Sequence, residues 1–242
     1  MINIIYSEIL KLKKSNCMFM ALTSALGMVI LMNIAILITD DKKRTFESYS
    51  YNVGQMNSVM VFSMIFGMIA SYMFIREYND KTASTLYSYP FARIKIFLGK
   101  LFVIYMIIVV VYFIQCISIY LSYYKLFGTL EKDQIMLNIK VNVYSMFFQM
   151  SSIPIVIFIG NLKRNIIVPI GYEILIVIIN GLCDNRYISQ IKYNPFIGSA
   201  SVFKYFYEHD NLELSNMAVA SVIFFLISMS ICVYHFYKTD IH

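Results

Sequence analysis

Long apolar runs separated by short polar segments dominate the chain. Six of them, Cys17 to Thr39, Asn57 to Ile75, Leu101 to Tyr123, Val141 to Gly160, Ile166 to Leu182 and Met217 to Tyr237, are 17 to 23 residues long. A helix needs roughly 17 to 25 apolar residues to cross a hydrocarbon core of about 30 Å. The pattern therefore predicts an all-α integral membrane fold with six transmembrane helices. The longest segment between runs, Cys183 to Asn216, has 34 residues, too few for a separate soluble domain, so residues 1–242 are expected to form one transmembrane domain.

Ahead of the first run, MINIIYSEILKLKKS sets Ile2, Ile5, Ile9 and Leu12 at helical spacing, with Ser7, Lys11 and Lys14 opposite. That spacing predicts an amphipathic interfacial helix over residues 2–14, its lysines against anionic headgroups and its isoleucines in the acyl boundary. A basic flank that only orients the chain would explain the lysines but not the apolar stripe. The first run has 23 residues and is followed by DDKKR rather than a small-residue cleavage site. It is expected to be a retained span rather than a signal peptide.

Composition sharpens the membrane assignment. Hydrophobic residues make up 59% of the chain and charged residues 14%, and the mean hydropathy is +0.66; a soluble domain of this size needs more polar surface. Four prolines and no tryptophan beside abundant Ile, Lys, Asn and Tyr fit an AT-rich bacterial genome, hence a bacterial cell membrane. Cys17, Cys116, Cys183 and Cys232 lie far apart and read as small apolar residues, not as a metal or disulfide framework. Eleven Lys and Arg fall in the segments sharing a side with the N-terminus and nine in the others. Those eleven are packed into the shorter total length, which puts both termini in the cytoplasm under the positive-inside rule.

Within the runs, small residues recur at helical spacing, Ser63, Gly67 and Ser71 in the second and Ala21 and Ala25 in the first. Such faces allow close helix packing, within the chain or to another copy. Glu173 stands near the middle of the fifth run on a face with Pro169, Val177 and Asn180. An ionised acidic group at that depth costs roughly 2.5–3.5 kcal/mol on insertion scales, so this carboxyl needs a proton, water or a partner. Two readings stand side by side: a polar path or oligomer seam lined by Glu173 and Asn180 with the small face Ser63, Gly67 and Ser71, or a protonated Glu173 bonded to a neighbour such as Gln115 or Gln149. No HExxH, GxSxG or GxxxxGK[ST] pattern occurs, and His209, His235 and His242 lie in no such pattern. Nothing in the chain points to catalysis, to a bound metal or cofactor, or to nucleic acid.

The longest polar segment on the N-terminal side is REYNDKTASTLYSYPFARIKIFLGK, Arg76 to Lys100. Thr82 to Ser88 suits two helical turns, with Asp80 or Thr82 as N-cap and Pro90 as terminator. Arg93, Lys95 and Lys100 then alternate with Ile94, Ile96, Phe97 and Leu98, as at a membrane interface. The spacing E77-x4-T82-x7-P90-x2-R93 followed by Gly99-Lys100-Leu101 resembles the cytoplasmic coupling region of type-2 ABC exporter permeases, whose usual pattern is E-x3-G-T-x7-P-x2-R and then GK. SEILKLKKS is similar to the interfacial helix of that family, and the start of the chain resembles the short permeases of lantibiotic-immunity and bacitracin-resistance transporters. Tyr193-Asn194-Pro195-Phe196 is similar to the Asn-Pro step between the family's last two helices. One position departs: Lys81 stands where the family has glycine.

The resemblance implies a non-catalytic permease subunit. A separate ATP-binding subunit would carry ATP and Mg2+, a second permease copy or paralogue would complete the pathway, and an amphipathic antimicrobial peptide or peptide antibiotic would be the substrate. It implies ATPase coupling through Glu77, Thr82, Leu86, Tyr87, Tyr89, Pro90 and Arg93, with Glu77 and Pro90 fixing the ends of a short lever. On that view Glu77→Ala, or Tyr87→Ala with Tyr89→Ala, weakens coupling without lowering abundance. Two competing expectations are a proton-coupled secondary transporter using Glu173 and a non-transporting membrane immunity protein.

Overall fold

The computed structural model describes residues 2–13, 15–39, 44–82, 93–165, 167–183, 194–196, 198–208 and 213–238. These residues are helical with short connectors, and none is in a strand. In chain order the helices are α1 (Ile2–Lys13), α2 (Cys17–Thr39), α3 (Phe46–Met56), a π-helical turn (Asn57–Val61), α4 (Phe62–Asn79), α5 (Arg93–Phe127), α6 (Lys132–Lys163), α7 (Ile167–Cys183), α8 (Gly198–Tyr207) and α9 (Leu214–Lys238). Among the described residues, five stretches are long and apolar enough to cross a membrane: Cys17–Thr39, Phe46–Asn79, Arg93–Phe127, Lys132–Lys163 and Leu214–Lys238. The expected fifth span, Ile166 to Leu182, corresponds to α7, a helix of 17 residues that is not among these five.

The helices outgrow the apolar runs. α5 has 35 residues, about 52 Å at 1.5 Å per residue, against a hydrocarbon core of about 30 Å. Tyr124 to Lys140, expected as an outer connector, is helical except for residues 128–131. Lys125 ends the apolar pattern without breaking α5, which runs to Phe127, and aromatic packing holds the extra turns. Phe46 meets Tyr120 and Tyr123 at ring-centroid distances of 5.7 and 5.2 Å, and Tyr123 stacks on Phe127 at 4.8 Å. Asp40 to Met56, also expected as a connector, contains α3. Thr45 caps it by accepting from the Ser48 N–H at 3.3 Å, and its buried face, Phe46, Tyr49, Ser50, Val53 and Gly54, follows the i, i+3, i+4, i+7 rhythm.

The segment between the last two runs is likewise not a plain linker. Asn194 Oδ1 accepts the Phe196 N–H at 3.0 Å, a turn that leads into α8, whose Val202 and Phe203 are fully buried. They pack with Val141, Phe148 and Met217. Across this end of the molecule Tyr207 Oη joins Ser50 Oγ at 3.0 Å and Asn138 Nδ2 at 3.1 Å. The main core lies between α2, α4, α5, α6 and α9 and includes Ala21, Ala25, Phe66, Ile104, Ile157 and Cys232.

Candidate functional site

The N-terminal helix forms as expected, and one of its faces is turned to the protein. Ile4, Glu8 and Leu12 are buried, whereas Ile9 is 47% exposed. The series Ile4, Glu8 and Leu12, about one residue per turn, docks on α5 and leaves Ile9 of the apolar stripe on the outside, where an acyl boundary would lie. Gly99 makes the docking possible: a Cβ there would stand 2.8 Å from Ile4 Cγ2, closer than carbon atoms approach. Lys14 lies outside the described residues.

That docking assembles four charges. Lys11 Nζ donates to Glu8 Oε1 at 2.6 Å and to Glu77 Oε1 at 3.0 Å. Lys100 Nζ donates to the other Glu77 oxygen and to the Met73 carbonyl at 2.8 Å. Glu77 closes α4, Lys100 opens the apolar part of α5, and Glu8 and Lys11 come from α1, so one carboxylate ties three helices. Two anions face two cations, and Lys100 is 1% exposed. Burial pulls the Lys11 pKa down, but its hydrogen bond to Glu8 and the charges of Glu77 and Glu8 more than reverse this, leaving it above the ordinary value. Lys11 is thus a firm cation at neutral pH. Arg76 Nη1 reaches the Lys11 carbonyl at 3.5 Å, adding a hold on the end of α1, and Arg76 Nε pairs with Asp80 at 3.9 Å.

The burial of Glu77 changes the expected cost of its loss. Removing one partner from a buried ion pair costs about 3–5 kcal/mol because the other charge is left uncompensated. Glu77→Ala would strand Lys100, so abundance should fall along with coupling. Sequence reasoning placed Glu77 at the exit of a helix, but missed Glu8 and the pairing of Lys100. A signal existed in both cases: Glu8 interrupts the apolar series Ile4–Leu12, and Lys100 sits between Gly99 and the third apolar run.

The departure at Lys81 is accommodated without changing the turn. Lys81 has φ +55°, the left-handed region that glycine enters freely and other residues enter at a cost of roughly 1–2 kcal/mol. Its N–H donates to the Tyr78 carbonyl at 3.2 Å and the Thr82 N–H donates to the Glu77 carbonyl at 2.9 Å. This pair of bonds is the Schellman ending of a helix, with Asp80 as the α4 C-cap. Thr82 Oγ1 also approaches the Glu77 carbonyl, at 3.5 Å. Leu86, Tyr87, Tyr89 and Pro90, and with them the expected short helix Thr82 to Ser88, lie outside the described residues. Arg93 begins α5, and its Nη1 donates to the Tyr237 carbonyl of α9 at 3.5 Å.

Glu173 presents the opposite situation. Its side chain is 3% exposed, and a Cβ added at Gly67 would lie 2.9 Å from Glu173 Cγ and 3.1 Å from Oε1. The small face of α4 thus receives α7: Gly67 admits the carboxyl group, while Gly160 of α6 lies against Pro169, Ile75 and Ser71. Neither Gln expected as a partner bonds it. Gln149 Nε2 donates to Ser63 Oγ at 3.4 Å, and among the described residues the buried Gln115 amide has no hydrogen-bond partner. The buried hydroxyl of Ser71 and the Asn161 amide also have none. Asn180 lies in α7, its side chain outside the described set.

Among the described residues, no cluster of His, Cys, Asp and Glu has the grouping of a metal site. No curated protein matches the chain. The family model for the ABC-2 family transporter protein matches residues 4–180, a stretch that contains Glu8, Lys11, Glu77, Lys100 and Glu173. The chain belongs to the ABC-2 family of transporter proteins and is a non-catalytic, multi-pass permease subunit of the kind that pairs with ATP-binding subunits.

Proposed function

We propose that this permease works as the membrane half of an exporter in which the ATP-binding subunit docks on residues 82–93 and its closure reaches the bundle through the Glu77 cluster. What carries this reading is the Glu77 carboxylate, which accepts from Lys11 of α1 and Lys100 of α5. A push on the segment after α4 cannot move Glu77 without pulling on both helices. ATP and Mg2+ belong to the partner, and a second permease copy or a paralogue completes the path.

Six crossings suit this arrangement. The end of α6 meets the end of α4, with Arg164 4.8 Å from the Tyr78 ring centroid, and the end of α9 meets the start of α5. The start of α9 packs at the other end, Met217 beside Val141 and Val202. Between α6 and α9 the chain must cross once more, and α7, about 26 Å long at 1.5 Å per residue, is the segment available. The basic density favours both termini, and with them the Glu77 cluster, in the cytoplasm of a bacterial cell. For the cargo, the resemblance of the N-terminal stretch to lantibiotic-immunity and bacitracin-resistance permeases favours an amphipathic antimicrobial peptide or peptide antibiotic, expelled for self-protection or resistance. A second reading, proton-coupled transport without an ATPase, draws on the unpartnered Glu173.

The experiment is a double substitution that removes the link but strands no charge. Glu77→Met with Lys100→Met leaves Lys11 paired to Glu8. Co-expressed with its ATP-binding subunit, this variant is expected to assemble, while peptide-stimulated ATP hydrolysis is lost. Undiminished stimulation at matched expression would overturn the cluster as the route. Tyr87→Ala with Tyr89→Ala is expected to reduce ATPase co-purification. Proton-driven efflux by the wild type in the absence of the ATPase, abolished in Glu173→Gln, would favour the second reading. For orientation, a membrane-impermeant thiol reagent should label Asp133→Cys in intact cells and spare Ser88→Cys; the reverse would invert the topology.

A further inference from the structure

We propose that the groove between the start of α5 and the last turns of α9 seats one anionic phospholipid, its phosphate against Arg93 and an acyl chain along Phe97 and Tyr234. The groove holds about 320 Å³ and is lined by Arg93, Ile94, Phe97, Ser230, Tyr234 and Tyr237, among others. That is room of the order used by small-ligand sites. Its walls are almost wholly apolar, and among the described residues no acidic one lines it.

Charge chooses the headgroup. Arg93 lines the groove, where its Nη1 already reaches the Tyr237 carbonyl, and its planar guanidinium, with several donors, matches phosphate oxygens. Lys238 adds a second cation: its Nζ is 3.5 Å from Tyr234 Oη and 5.7 Å from the centre of that ring. The start of α5 contributes the positive end of a helix dipole. Tyr234 and Tyr237 are 65% and 79% exposed, as tyrosines are at headgroup depth.

Surroundings choose a lipid over a protein segment. The groove opens onto an apolar surface made by Ile94, Leu226, Ile227 and Ile231, all more than 40% exposed, which in a membrane protein is the surface that acyl chains already cover. A lipid can slide in sideways with its tail still in the bilayer. The seat also abuts the charged cluster. Phe97 and Phe236, 5.5 Å apart, form the inner wall, and each meets Phe74, over which Lys100 Nζ lies at 5.4 Å. A lipid in the groove therefore braces α5 against α9 directly behind the Glu77–Lys100 pair.

The test uses the purified full chain in dodecylmaltoside, supplied in turn with phosphatidylglycerol, phosphatidylcholine and inorganic phosphate. Bound lipid is counted by native mass spectrometry, and thermal unfolding is followed with a thiol-reactive dye that reports exposure of the buried Cys17 and Cys232. Phosphatidylglycerol should be retained in preference to phosphatidylcholine by about fivefold per cation engaged, with a matching rise in unfolding temperature. Arg93→Gln should erase the preference. Ser230→Phe, a change on the exposed face that fills the groove, should remove the retained lipid, whereas Ser230→Ala should keep it. Equal retention of both lipids by the wild type, an unchanged preference in Ser230→Phe, or an equal thermal shift from inorganic phosphate would overturn the proposal. Loss of a dimer instead of a lipid in Ser230→Phe would make the groove a contact between copies, and would overturn it too.

Discussion

Two carboxylates inside this bundle are solved in opposite ways. Glu77 has two lysines from two other helices, and the Glu8–Lys11 pair keeps the local charge balanced. Glu173 is equally buried, yet among the described residues it has no hydrogen-bond donor, and its carboxyl group lies against the bare backbone of Gly67. In a low-dielectric interior a compensated charge resists displacement, because every relative motion of its partners separates opposite charges. An uncompensated carboxyl resists nothing and is instead sensitive to whatever arrives, whether a proton, water or a guest. The first arrangement suits a joint that transmits force, and the second suits a surface that is covered in one state and used in another.

The comparison breaks most sharply at Glu77. Glu77→Ala should lower stability by about 3–5 kcal/mol, read as a large drop in the detergent-solubilised unfolding temperature, and Lys100→Met in the same chain should recover most of it. If the single variant is as stable as the wild type, Glu77 is not the tie between α1, α4 and α5.

A smaller effect belongs to the seat of Glu173. Gly67→Ala forces a Cβ into the carboxyl group and should cost about 1–3 kcal/mol, the usual range for overpacking. In a Glu173→Ala background the same change should cost little, since the obstructing atoms are gone. Additive losses in that double-mutant cycle would mean that the two residues do not touch.

The signs should then diverge. Replacing an unsatisfied buried polar group with an apolar one removes a desolvation penalty of about 1–3 kcal/mol, so Glu173→Leu should stabilise the protein where Glu77→Ala destabilises it. Any loss of transport in Glu173→Leu would then be functional, and thermal unfolding beside a transport assay would separate the two.

The smallest effect tests whether the turn after α4 helps to position Glu77. Lys81→Gly relieves a left-handed residue but adds freedom to the unfolded chain, for a net gain of about 0.5–1 kcal/mol. A loss instead would mean that the lysine side chain contributes something beyond the backbone turn.

How much of this was legible in the sequence depends on the residue. The apolar runs marked the helical membrane fold because lipid requires every backbone group to bond within its own helix, and the amphipathic rhythm of residues 2–13 marked α1. The motif from Glu77 to Lys100 was visible as a spacing. Helix ends were not: Lys125, Lys132 and Lys140 lower the hydropathy, yet aromatic contacts from Phe46, Tyr120 and Tyr123 carry α5 past the apolar run. Nor was α8, whose Val202 and Phe203 form a patch too short to read without Phe148 facing it.

The sequence by itself determined what the chain is made to sit in and which positions carry charge where charge is costly, since transfer from water to lipid depends on composition over a window. Only the tertiary structure decided which charges meet. Glu8 and Glu77 are 69 positions apart, and whether either is compensated depends on Gly99 letting α1 lie close against α5. Glu173 has an arginine and a lysine nine and ten residues before it in sequence, but Lys163 ends α6 and Arg164 caps it, whereas Glu173 sits partway along the next helix, and neither cation pairs with it. Pairing is a property of helix packing, and packing is set by small residues whose hydropathy says nothing about their neighbours.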